Sequence, residues 1–302
     1  MRGREIQRVG LKSPKVLCFY GDQNYVITKT FVDEIFDIVI NQKAYLHVDM
    51  SNVEKITAAA VLYLASVVNV CQNCAPKELA FSDQAITFQL PVGAKKSSLF
   101  IETGLWDIIK PGGQKKLQRL WEDSENPFKT GNDPEREYPE LLKWLARQGF
   151  TPPPKLASAV QEAYLNIKQH AYDKNTVIDK FLISRWWQYA YVDEGAGRFN
   201  FLLYDHGVGI PGTVKGEKFG YMRDERKLET AMTEGWTSTK EPGRGRGSAN
   251  MQQPIAIKKN DDTLLIMSGR GKYVFKNDEV EQVSALPATL KGTLVEWSLA
   301  LK

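Results

Sequence analysis

Along the first hundred residues the hydrophobic positions change their spacing repeatedly, and each change predicts a different element. Residues 16–20 form a short apolar run of strand type, residues 29–41 carry apolar side chains at helical spacing, and residues 44–50 return to a strand. The stretch 56–71 then continues through alanines, leucines and valines without a breaker, which predicts a helix packed against that strand. A second strand is expected at 79–81. The sequence SSLFIETGLWDIIK at 97–110 predicts a short amphipathic helix, a turn at Gly104 and a further apolar turn. Strands alternating with helices in this way describe a small α/β layer.

Between Lys110 and Pro154 the pattern gives way to glycine, proline and charge, a connector with one or two helices, of which PELLKWLARQGF stands ahead of the prolines at 152–154. This divides the chain into an α/β domain at 1–110, a helical connector at 111–150 and a second domain at 151–302.

The second domain carries the chemistry. In ASAVQEAYLNIKQHAY, Glu162, Asn166 and His170 recur every four residues, so an acid, an amide and an imidazole follow one stripe of an otherwise apolar helix. Alone, such a stripe is an ordinary polar helix face. Farther on, FNFLLYDHGVGIPG runs an apolar strand into Asp205, Gly207 and Gly209. Glycines at alternate positions let a backbone approach a flat ligand, and the aspartate is able to accept a hydrogen bond from an exocyclic amine. The segment TSTKEPGRGRGSANM supplies Gly243, Gly245 and Gly247 with Lys240, Arg244 and Arg246 ahead of a helix at 248–257. N–H groups at a helix start and full positive charges both suit phosphate oxygens. Last, Gly292 and Thr293 open the alternating strand GTLVEWSLAL.

In order and spacing these four segments resemble the Bergerat (GHKL) ATP-binding domain of gyrase, MutL and the histidine kinases, over roughly residues 156–301. The run Glu162-Ala163 to Asn166 to His170 to Tyr172 is most similar to the first motif of the anti-sigma-factor serine kinases. The resemblance implies a C-terminal α/β sandwich with ATP and Mg²⁺ as cofactors. By the same resemblance Asn166 would ligate the metal, Glu162 would serve as general base, and Asp205 would read the adenine amine with room from Gly209 and a hydroxyl from Thr293. Lys240, Arg244 and Arg246, with Gly243, Gly245 and Gly247, would close over the phosphates from a mobile lid at 211–242. Ser248 stands where the family usually has leucine, and His170 is assigned either to phosphate or to the helix's polar face.

The N-terminal residues resemble the STAS domain of anti-anti-sigma factors in HVDMSNVEKITAAAVLYLAS and LFIETGLWDII. Where phospho-switched relatives carry an acceptor hydroxyl this chain has Ala59, with Thr57 the only hydroxyl nearby. The resemblance therefore implies a docking or dimerisation module for another protein. Together the two likenesses imply a Mg²⁺·ATP-binding ATPase or protein kinase in a bacterial-type regulatory system. The alternative is a nucleotide-gated interaction switch with little or no hydrolysis. A DNA-acting ATPase is expected to carry a transducer domain after the ATP fold, and a histidine kinase a helical hairpin with an acceptor histidine. His47, in an expected strand, reads as structural.

Composition narrows the field without choosing within it. At 42% hydrophobic and 11% aromatic the chain is of globular type, and forty lysines and arginines against thirty-six acids leave a charge of only +4, which does not indicate nucleic acid. No apolar run has the length of a membrane span or follows the N-terminus as a signal peptide would, so a cytoplasmic protein with no membrane partner is expected. Cys18, Cys71 and Cys74 are too few for a zinc quartet and read as core thiols.

Overall fold

The computed structural model describes residues 7–148, 154–172, 179–233, 247–256 and 261–301. The chain divides into two compact units, Met1–Lys129 with Asp179–Leu182, and Thr130–Ile178 with Ile183–Lys302. The division falls inside the stretch read as a connector, whose two helices go to different units.

Unit 1 is built on a parallel sheet of order β1-β3-β5, formed by Arg8–Lys12, Tyr45–Asp49 and Ile86–Gln89. A small parallel pair, β2 (Val16–Leu17) with β4 (Lys55–Ile56), lies between these strands in sequence. Helix α1 (Asp22–Phe36) runs into a π-helical turn at Asp37–Asn41, and α2 (Ala58–Cys74) is buried continuously from Ala59 to Gln72. A helix that is apolar on all sides has no solvent face to present, which makes α2 the centre of this unit. Two of its buried polar residues bond the short helix α4 (Leu105–Ile109), which follows α3 (Ala94–Lys96): Asn69 donates to the Ile108 carbonyl at 2.8 Å and Gln72 to that of Ile109 at 3.0 Å. Lys116, on α5 (Gln114–Glu122), donates to the Ile108 and Lys110 carbonyls, so the exposed end of the α4 backbone is capped by three side chains. Burial, with the Lys110 charge second, pushes Lys116 down to about 7.

Two sequence expectations change here, and one strand is added. The third sheet strand lies at Ile86–Gln89, and residues 79–81 form a turn that buries Leu79. Helix α1 begins at Asp22, seven residues before the apolar periodicity suggests, because its first turn is the polar run Asp22-Gln23-Asn24. Strand β1 was not anticipated. Cys71 is fully buried and its thiol is pushed up by that burial, as a core thiol would be.

Unit 2 carries a five-stranded sheet of order β6-β7-β8-β10-β9, with β6 (Phe128–Gly131), where the division passes, at one edge. Strands β7 (Trp186–Asp193), β8 (Arg198–Asp205), β10 (Glu279–Ala300) and β9 (Thr263–Lys276) pair antiparallel in turn. Alternate residues, such as Phe199, Phe201 and Leu203 on β8 and Val295, Trp297 and Leu299 on β10, share one core with helices α6 (Pro134–Arg147), α7 (Leu156–Asn166), α9 (Asp224–Met232) and α10 (Gly247–Ala256). The period of two on the strands therefore defines a helical layer on one face of the sheet. Trp297 ties that layer down by donating its indole N–H to the Met251 carbonyl of α10 at 2.9 Å. Among the described residues no helix is long and apolar enough to cross a membrane.

Candidate functional site

Pairing across the sheet of unit 2 lines up Trp186, Asp205, Thr293 and Ser268 on four adjacent strands. Directly opposed residues of an antiparallel sheet project to the same face. Tyr164 of α7 stacks on Trp186 with ring centroids 4.5 Å apart, which places this row under the helical layer. The polar end of a row that is otherwise core is where the sheet departs from hydrophobic packing.

Asp205 closes β8 and is only 3% exposed. Its Oδ1 accepts the Gly207 N–H at 2.7 Å, and the Thr293 N–H also donates to the carboxylate. Desolvation outweighs these two donors and pushes Asp205 up to about 7. Burial, and secondarily the Asp205 charge, hold the neighbouring Tyr172 phenol well above its ordinary value. Tyr172 accordingly remains a donor, to the Arg185 carbonyl, while accepting the His206 N–H at 3.3 Å.

The segment after Asp205 is clasped on both sides. A π-helical turn at Ile167–Ala171 extends α7 and carries His170, and the carbonyl of Ala171 accepts the Val208 N–H at 2.7 Å. A Cβ on Gly207 would lie 2.2 Å from that carbonyl oxygen, and one on Gly209 would lie 2.9 Å from Ser268 Oγ. Gly292 sits at φ 80° in the irregular stretch of β10 between Leu290 and Thr293, where a Cβ would lie 1.9 Å from the Asp205 carbonyl oxygen. The direction a side chain would take at Gly207 and Gly209 is thus occupied by protein. These glycines let the helix end, the loop and the bulged strand pack together, a reason for glycine that stands beside the ligand approach the sequence suggested.

Glu162 and Asn166 lie on α7, both half-buried. Asn166 Nδ2 faces Met251 Sδ of α10 at 3.9 Å. Glu162 has no hydrogen bond or ion pair among the described residues. The stripe seen in the sequence is therefore held on one helix whose π-turned end touches the loop after Asp205.

The phosphate side is described only in part. Gly247 opens α10, whereas Lys240, Gly243, Arg244, Gly245 and Arg246 lie outside the described residues. The expected lid at 211–242 needs correction over its first part. Residues 210–233 fold into α8 (Ile210–Thr213), a 3₁₀ turn at Glu217–Phe219 and α9, whose Leu228 and Met232 belong to the core. Asp224 Oδ2 also accepts the Arg270 N–H at 2.8 Å, fixing α9 to β9. Buried apolar contacts of this kind belong to the scaffold and not to a strap that opens.

In unit 1, Ala59 is fully buried in the first turn of α2, and Thr57 occupies the position before that helix with its hydroxyl 3.5 Å from the Leu17 carbonyl. His47 bonds Thr87 Oγ1 at 3.0 Å across β3 and β5. A cleft lined by Asp107, Lys110, Gly113, Lys116 and Arg119 also lies in this unit.

Ser268 is the site residue that sequence reasoning missed. Its signal was present in TLLIMSGRGK: Leu264 and Ile266 face the core, and the next position in that period is a serine. No protein-family model matches the chain, and no curated protein matches it.

Proposed function

We propose that unit 2 is a Mg²⁺·ATP-binding domain of Bergerat type, acting as an ATPase or protein kinase, and that the STAS-like unit 1 docks or pairs with another protein. The observation that carries this reading is the clasp between Val208 N–H and the Ala171 carbonyl. It joins the helix bearing Glu162 and Asn166 to the loop bearing Asp205, two segments some forty residues apart.

The donor and acceptor inventory suits the ligand. An ionised carboxylate offers about four lone-pair positions, and two N–H groups use part of that capacity at Asp205. The remainder suits an exocyclic amine. The Asn166 amide oxygen has no partner among the described residues, and an amide oxygen is an acceptable ligand for a hard cation that keeps several waters. Bound there, Mg²⁺ would neutralise charge on the phosphates. Glu162 would take the proton of a water or an acceptor hydroxyl as its oxygen bonds to the γ-phosphorus and the bond to ADP breaks.

Calorimetric titration with Mg²⁺·ATP across pH 5.5 to 8.5 tests the reading. The amine needs the ionised carboxylate, so affinity should rise with pH through about 7, where Asp205 loses its proton. Asp205→Asn should weaken binding about ten- to hundredfold above that pH and remove this step. Ionisation of ATP itself is common to both titrations and cancels in their difference. No binding by the wild type, or identical profiles for the two proteins, would overturn the assignment.

A further inference from the structure

We infer that Ser268 fixes the direction of the Thr293 hydroxyl, so that the site presents only acceptors to its ligand and selects an amino-purine over an oxo-purine. This rests on the nucleotide reading above.

The argument is a count of protons. Ser268 is fully buried and has one hydroxyl proton and two lone pairs. Its Oγ lies 3.0 Å from the Gly292 carbonyl, 2.9 Å from Thr293 Oγ1 and 2.8 Å from the Ile210 nitrogen. The Ile210 N–H has only a donor's role, so it takes one lone pair. Gly292 lies where the pairing of β10 with β9 lapses between Leu290 and Thr293, and a buried carbonyl needs a donor, which the Ser268 proton supplies. One lone pair remains on Ser268, and Thr293 fills it by donating its own hydroxyl proton. The Thr293 oxygen is then left with lone pairs alone.

Thr293 is paired with Asp205 across the sheet and retains 8% of its surface exposed. Above about pH 7, where Asp205 is ionised, a ligand at this end of the row therefore meets two acceptors side by side, the carboxylate and the hydroxyl oxygen. The two N–H groups of an exocyclic amine match them. A ring carbonyl in the same place would put a third acceptor against two. Ser268 itself touches no ligand and is a positioning residue.

Binding of ATP and of inosine triphosphate, which carries oxygen in place of the amine, measured at pH 8.5 where Asp205 is ionised, distinguishes this role from a merely structural one. Ser268→Ala removes the acceptor for the Thr293 proton, which is then free to turn toward the ligand. Affinity for inosine triphosphate should rise roughly five- to tenfold relative to ATP. The double variant Ser268→Ala/Thr293→Val should show no such rise, because the released proton is gone. Where loss of the Ser268 bonds prevents folding, Thr293→Val alone decides: it should weaken ATP and narrow the preference, while Thr293→Ser keeps both. An unchanged ratio in a folded Ser268→Ala protein, or tighter ATP binding by Thr293→Val, would overturn the role of Ser268 while leaving the nucleotide reading in place. Failure of the wild type to bind either nucleotide would overturn both.

Discussion

Gly292→Ala is expected to unfold or severely weaken unit 2, with a loss of about 3–5 kcal/mol in stability. The new methyl would meet the Asp205 carbonyl oxygen at 1.9 Å and its carbon at 2.8 Å, and both obstacles are backbone. A flexible side chain could turn away from such a contact, but here β8 and β10 would have to separate at the row containing Asp205 and Thr293. The left-handed φ of 80° adds a cost of roughly 1–2 kcal/mol for any residue with a Cβ. Gly207→Ala should be nearly as damaging, since its Cβ would meet the Ala171 carbonyl. Gly10→Ala, with nothing within 4 Å, is the control and should change little. Urea unfolding followed by tryptophan fluorescence measures all three. A Gly292→Ala protein with a wild-type midpoint would mean that the two strands do not approach as described.

The second large effect concerns turnover. Glu162→Ala should lower ATP hydrolysis or phosphotransfer by about two to four orders of magnitude while leaving the ATP dissociation constant within about threefold. Glu162 is half-buried and makes no hydrogen bond or ion pair among the described residues, so its removal breaks no polar contact among them. A group that acts only as bonds change lowers the rate without loosening the ground state. Asp205→Asn is the opposite case, because Asp205 would touch the ligand equally in both states. Steady-state turnover and calorimetry on the same preparations separate the two. If Glu162→Ala turned over at the wild-type rate, the general-base role would fail and a nucleotide-gated switch would become the better account.

How far the sequence foretold this arrangement depended on whether a residue's reason was local. The turn after Asp205, the helix of Glu162 and Asn166 and the start of α10 were legible because glycine spacing and helical periodicity act over a few residues. Strand β7, Trp186–Asp193, was not read: its first five residues are buried in succession, so the alternation that marks a half-exposed strand is missing. Strand β9 was obscured by Ser268, Gly269 and Gly271, whose reasons lie in other elements. A Cβ on Gly271 would press on Leu228 and the Asp224 backbone of α9 at 3.0 and 3.1 Å, and one on Gly269, at φ 57°, would meet the Asp224 carboxylate at 2.6 Å. The same distinction explains the lid. The resemblance implied a lid at 211–242, and only the burial of Leu228 and Met232 in the core shows α9 to be part of the frame. The division of the chain falls within the connector that composition marked, but its place between α5 and α6 depends on which unit each helix packs with.

The central claim is that the ligand is a nucleotide held where Asp205, Thr293 and the end of α7 meet. Photolabelling of the full chain with 8-azido-ATP and Mg²⁺, followed by peptide mapping, tests it most directly. The account predicts one ATP-competed label per chain, on peptides containing residues 205–210, 292–293 or 162–172. A competed label confined to the cleft of Lys110, Lys116 and Arg119 in unit 1, or no competed label at all, would contradict it.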